Sequence, residues 1–159
     1  MTRHHEERFL PHSAQQMFDL VADVARYPEF LPWTAAARIL SRAPLLGHAD
    51  PKAEVMEADL VISFKLFREK FGSRVTLLPA QGQILTQYLD GPLRDLNSVW
   101  QFATGPDGPA TCKVTFDVDF EFRNPILRAV IGLVFAEAMT RVVRAFETRA
   151  KALYTPRQA

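Results

Sequence analysis

At 159 residues with 48% hydrophobic side chains, the chain suits one domain spanning 1–159 with a substantial core. A formal charge of +1 and a pI near 7.9 lack the cationic excess of a dedicated duplex-DNA binder. The single cysteine, Cys112, excludes an intramolecular disulfide, and MTRHHEERF at the N-terminus has no apolar h-region for secretion. The strongly apolar run Ala129 to Ala136 falls far short of the ~20 residues of a membrane span. These totals point to a cytoplasmic protein, at most peripheral at the inner membrane.

In chain order, the spacing predicts an opening strand over Arg3 to Leu10 and then a capped helix. Ser13 followed by Gln16 fits a capping box, in which hydroxyl and amide side chains each satisfy an orphan backbone donor. Met17, Phe18, Leu20, Val21 and Val24 recur at near-helical spacing and give that helix one apolar face. Pro28 and Pro32 bias Tyr27 and Leu31 away from the α region, so both are expected at breaks around one short helical turn. Tyr27, Phe30, Leu31 and Trp33 are then presented from a stiffened segment with almost no polar chemistry.

The middle of the chain reads as antiparallel sheet. Met56, Ala58, Leu60, Ile62 and Phe64 alternate with polar residues, Val61 excepted, and Cys112, Val114, Phe116, Val118, Phe120 and Phe122 alternate more cleanly still. Weaker strand signals cover Ala35 to Arg42, Glu69 to Leu78, Gln83 to Leu89 and Arg94 to Ala103, separated by turn residues. Short connections between strands imply hairpins and not parallel crossovers. Asn124 as N-cap and Pro125 at the first helical position open a long helix running to about Tyr154. Its apolar stripe, from Ile126 to Phe146, has to be buried against the sheet. The result is an α+β layout: a curved seven-stranded antiparallel sheet gripping a C-terminal helix, with two short helices after the first strand. A sheet wrapped around one helix leaves an apolar pocket between them.

Phe18, Val21, Asp23, Val24, Tyr27, Pro28, Phe30, Leu31, Pro32 and Trp33, read as F-x-x-V-x-D-V-x-x-Y-P-x-F-L-P-W, resemble the coenzyme Q-binding protein family. That family belongs to the helix-grip superfamily of START-like, Bet v 1-like and polyketide-cyclase-like domains, and it also contains a ribosome-association toxin branch. Segments around Phe71 to Val75, Leu93 to Trp100 and Asn124 to Leu153 extend the likeness over the chain. The resemblance implies a non-enzymatic carrier or chaperone of ubiquinone or a related prenyl lipid, serving respiratory or quinone-biosynthesis enzymes. No cofactor is required beyond that bound ligand. It implies as alternatives a ribosome-associated inhibitor of subunit joining, or a polyketide cyclase or aromatase.

A ubiquinone host needs an apolar channel, an aromatic clamp and one or two donors. At ~0.8 kcal/mol per buried CH₂, tail burial outweighs a single hydrogen bond worth ~0.5–1.5 kcal/mol. The expected mouth is Tyr27, Phe30, Leu31 and Trp33. The expected lining is Leu60, Ile62, Phe64, Trp100, Phe116, Phe120, Met139 and Val143, for each of which ordinary core packing is the competing account.

No catalytic or metal-ligating set stands out. His4, His5, His12 and His48 lack metal spacing, and the N-terminal histidines read as solvated. Cys112 falls at an apolar strand position and reads as core, while Asp117, Asp119 and Glu121 share the outward phase. A cyclase would need an inward acid or base, and the strand phases offer none. Arg141, Arg144, Arg149, Lys151 and Arg157 make the chain end basic. They complement the helix dipole, or supply a weak attraction to anionic lipid or ribosomal RNA.

Overall fold

The computed structural model describes residues 2–64, 67–132 and 135–154, with side chains at 2, 64, 67, 127 and 130–132 left aside. Strand β1 (Thr2–Leu10) leads to helix α1 (Ala14–Ala22) and a 3-10 helix (Val24–Glu29). Six strands follow: β2 (Thr34–Pro44), β3 (Glu54–Phe64), β4 (Phe67–Leu78), β5 (Gln83–Asp90), β6 (Leu93–Gly105) and β7 (Gly108–Phe122). The helical end is described as α2 (Pro125–Gly132) and α3 (Phe135–Tyr154); positions 133 and 134 of the expected long helix lie outside the described residues.

All seven strands form one antiparallel sheet in the order β1-β7-β6-β5-β4-β3-β2. Consecutive strands from β2 to β7 are neighbours, as hairpins require, and β1 returns to pair with β7. The alternation in β7 is realised in full: Cys112, Val114, Phe116, Val118, Phe120 and Phe122 are all buried on the inner face.

Local chemistry places the elements around that sheet. The Ser13 hydroxyl accepts from the Gln16 amide at 3.1 Å, while Gln16 Oε1 accepts from the Ser13 amide at 2.9 Å. The capping box therefore sets the start of α1, whose Met17, Phe18, Leu20 and Val21 are buried. Asn124 Oδ1 accepts from the Ile126 amide at 2.8 Å and caps α2 in the same manner. Gly82 supplies the left-handed turn between β4 and β5, with φ 62°, and its carbonyl accepts from the Phe102 amide at 2.7 Å.

The expected break at Tyr27 does not occur: the 3-10 helix runs through Tyr27 and contains Pro28. Two successive turns explain this. Arg26 N–H donates to Asp23 at 3.1 Å and Phe30 N–H to Tyr27 at 3.2 Å, so Pro28, which has no N–H, falls between bonds that other residues supply. The chain then turns at Trp33, whose φ of 62° is costly for a bulky side chain. Its carbonyl accepts from the Ser63 amide at 2.8 Å, which fixes the turn beside the end of β3.

Candidate functional site

Sheet register puts the inner-face residues into rows, and burial falls along β3 and β4 from one end of the strand towards the other. At one end Met56, Leu77, Ile84, Trp100, Phe102, Val143 and Phe146 are sealed, each no more than 6% exposed. At the other end Leu60 of β3, Phe71 of β4, Tyr88 of β5, Leu96 of β6 and Met139 of α3 are half-buried and pack against that core. Leu60 is the register partner of Phe71, and Leu96 that of Phe120, so these are neighbours in one region. The interior is thus sealed at the α1 end and looser around Leu60, Phe71, Leu96 and Met139, while Leu93, Phe120, Phe122 and Phe135 at that same end are buried.

Stacked rings make the closed end. Trp100 lies 4.3 Å from Phe116 between ring centroids, and Phe146 meets Trp100 edge-on at 5.1 Å. Phe120 and Phe135 are 4.2 Å apart at the turn from β7 towards α3. Trp100, Phe116, Phe120 and Val143, expected as lining, are buried members of the hydrophobic core. Leu60, Ile62 and Met139 are half-buried towards the open end, and the side chain of Phe64 lies outside the described residues.

The proline-rich segment divides in two. Tyr27 and Phe30 turn their rings onto Phe146 at 5.4 and 5.3 Å, and the Tyr27 hydroxyl donates to the Val21 carbonyl. Burial raises the Tyr27 pKa strongly, with a smaller push from Asp23. These two residues lock the segment to α3. Leu31 and Trp33 are half-buried, and the Trp33 carbonyl bond to Ser63 carries the segment to the open end of β3.

An inward-facing polar group was not legible from the strand pattern. His4, Glu6 and Arg8 are register partners of Val118, Phe116 and Val114, so they share the inner face with those buried residues. Glu6 Oε1 accepts from Thr140 Oγ1 at 2.6 Å and lies 2.8 Å from His4 Nε2, while its Oε2 is 3.3 Å from an Arg8 nitrogen. Burial pushes the Glu6 carboxyl up, but its bonds to Thr140 and His4 and the Arg8 charge outweigh this and hold it below the usual carboxylate range. His4 is thus not solvated, its side chain being 12% exposed. His12, also buried, lies against Tyr154, while His5 reaches outward, to Asp117. The expectation of no inward acid or base is corrected by Glu6 and His4. Polarity had disguised the inner phase of β1, because its partner Thr140 lies far along the chain.

The basic end is less free than its sequence suggests. Arg149 donates to Glu29 at 2.9 Å and sits over the Phe30 ring at 5.2 Å, and Arg141 pairs with Glu137 at 3.1 Å. Arg144 and Lys151 are exposed, and Arg157 lies outside the described residues.

A separate open groove of about 760 Å³ runs between α1 and the ends of β2, β3 and β4. Phe18, Ala53 and Leu77 contribute to its floor, and Asp19, Asp23, Arg42, Lys52 and Glu54 to its walls. Charged walls suit an apolar tail poorly. The half-open inner face is therefore the better candidate for such a ligand. Among the described residues no helix is long and apolar enough to cross a membrane.

A curved sheet closed by a terminal helix over an apolar interior defines the START-like, helix-grip class of protein. The chain belongs to the family described as polyketide cyclase / dehydrase and lipid transport, whose model matches residues 10–147. Among its relatives is the ribosome association toxin RatA of Pseudomonas aeruginosa, 37% identical over 91% of this chain and 92% of the relative. Another is the mitochondrial coenzyme Q-binding protein COQ10 homolog B of Xenopus laevis, 33% identical over 94% of this chain and 58% of that longer protein. Among solved structures, an 18 kDa protein from Caulobacter crescentus is 31% identical, with a TM-score of 0.77 over 98% of this chain and all of the other. The Zhui aromatase/cyclase from Streptomyces has the same TM-score, 0.77, over 94% of this chain and 93% of its own, at 16% identity, a likeness of fold alone.

Proposed function

We propose that the protein is a non-enzymatic carrier of ubiquinone or a related prenyl lipid, bound between the inner sheet face and α3, that supports respiratory electron transport or quinone biosynthesis. The observation that carries this reading is the group of half-buried apolar residues, Leu60, Phe71, Leu96 and Met139, set against a sealed core on the inner face. A tail entering at Leu60, Phe71, Leu96 and Met139 exchanges water for apolar contact at ~0.8 kcal/mol per CH₂. The family description includes lipid transport, and one relative is named for coenzyme Q binding. In this reading Leu31 and Trp33, both half-buried, cover the ligand, while Tyr27 and Phe30 anchor their segment to α3.

A carrier is favoured over a cyclase because the inward acid and base are already committed. Glu6 is held by Thr140, His4 and Arg8, which keeps it an ionised, structural acceptor. Mass spectrometry of lipid extracted from protein gently purified from a membrane-containing host tests the reading. A bound prenyl quinone is the expected result, and the absence of any isoprenoid lipid would overturn it.

Ribosome association is the second reading, favoured by relatives of that name aligned along nearly the whole chain. It needs an exterior surface and not the interior. Co-sedimentation with the large ribosomal subunit tests it, and free protein remaining in the supernatant at every salt concentration would remove it.

A further inference from the structure

Part-way along the inner face, between the stacked rings and the apolar open end, lies a band of hydroxyls. Ser98 of β6 and Ser73 of β4 are 9% and 8% exposed, and Thr86 of β5, half-buried, is the register partner of Ser98. Cβ atoms of such partners lie ~5 Å apart on one face. Ser98 also pairs with Val118, and Ser73 with Ala58 and Tyr88, so the band is framed by buried or half-buried apolar groups. Burying a hydroxyl without a partner is unfavourable, and native interiors satisfy nearly all such groups.

Here neither serine hydroxyl has a hydrogen-bond partner among the described residues. Neither oxygen is sealed, since the sealed side-chain polar atom left without a partner among those residues is Arg149 Nε. Ser98 and Ser73 share the inner-face phase of Trp100 and Val75 on their strands, so two residues more than nine-tenths buried carry donors that the described residues leave unpaired.

We infer that Ser73, Thr86 and Ser98 form a subsite for an uncharged ligand head bearing two or more acceptor oxygens, such as the carbonyl and ether oxygens of a quinone ring. This rests on the carrier reading above and adds the residues that select the head. Hydroxyls donate to neutral oxygens without requiring a counter-ion. The charged inner residues beside the band, His4, Glu6 and Arg8, are already paired with one another. A carboxylate or phosphate head would therefore be desolvated without compensation. The ring lies at the band and its chain extends to the open end at Leu60 and Leu96.

Calorimetric titration of the whole protein with a short-tailed ubiquinone, the matching isoprenoid hydrocarbon and palmitate tests the subsite. Wild type is expected to prefer the quinone to both competitors. In the double variant S98A/T86V, and in S73A/S98A as a second, the quinone is expected to bind about tenfold more weakly with the hydrocarbon unchanged. Unchanged quinone affinity in both variants, or an equal loss for quinone and hydrocarbon, overturns the subsite while leaving the carrier reading intact. Wild type that binds neither quinone nor hydrocarbon overturns the carrier reading and the subsite with it.

Discussion

Thr140 Oγ1 donates to Glu6 Oε1 at 2.6 Å, joining α3 to β1 across 134 positions of sequence. Glu6 is the hub of this contact, because His4 and Arg8 approach the same carboxylate from its own strand. Its side chain is 11% exposed, so removing it leaves three polar groups short of a partner in a poorly hydrated place. Glu6→Ala is expected to lower unfolding stability by ~1–3 kcal/mol. A double-mutant cycle with Thr140→Val, read by urea denaturation, should give a coupling above ~0.5 kcal/mol. Additive losses would mean that Glu6 acts through the rest of the network and not through the helix.

Gly82 is expected to tolerate no side chain. Its φ of 62° lies in the left-handed region, and an added Cβ would overlap the Phe102 carbonyl oxygen, a backbone atom that cannot swing aside. Gly82→Ala should therefore cost more than ~1 kcal/mol, beyond the conformational term alone. The loss should be larger than for Gly47→Ala, where φ is 79° but no atom lies within 4 Å. Thermal melting of the two variants makes the comparison, and equal losses would assign the whole effect to φ.

What the sequence made legible followed from strong local periodicity. Cys112 to Phe122 alternate so regularly that their inner face could be read directly, and Ser13 with Gln16 announced a helix start that the hydrogen bonds reproduce. The 3-10 helix through Pro28 escaped that reading, because proline excludes only the bonds its own missing N–H would make. The inner face of β1 escaped it for another reason. His4, Glu6 and Arg8 have the composition of an outer face, and only the long-range pairing with β7 and Thr140 reverses it. Within the expected site, hydrophobicity alone could not separate Trp100 and Phe116, stacked in the core, from Leu60 and Met139 at the open end.

Cys112 is fully buried, and burial pushes its thiol pKa up to about 11. The reactive thiolate is thus both scarce and shielded at neutral pH. A disulfide-exchange reagent should label the native protein no faster than it unfolds, while denatured protein reacts at once. Labelling of native protein at the denatured rate would show that the β7 inner face opens far more readily than its packing predicts.

His12 gives the fold a pH dependence of definite sign. The residue is 6% exposed, its ring lies 6.1 Å from that of Tyr154, and burial holds its pKa below the usual histidine value. The unfolded chain therefore takes up this proton more readily than the folded one. Its effect on stability is absent above ~6.5, the unfolded value, and grows as pH falls from there towards the lowered folded value, by at most ~1.4 kcal/mol per pH unit. His5 has the opposite sign: Asp117 raises its pKa, so its contribution is present at low pH and lost as pH rises through the raised value. That group is fully exposed and its contribution is screened. Urea denaturation from pH 5 to pH 8 should show wild type losing stability on acidification relative to His12→Gln, and retaining more than His5→Asn at the acid end. Parallel wild-type and His12→Gln curves would show that the imidazole is as easily protonated in the fold as in the unfolded chain, and that its burial against Tyr154 yields on acidification.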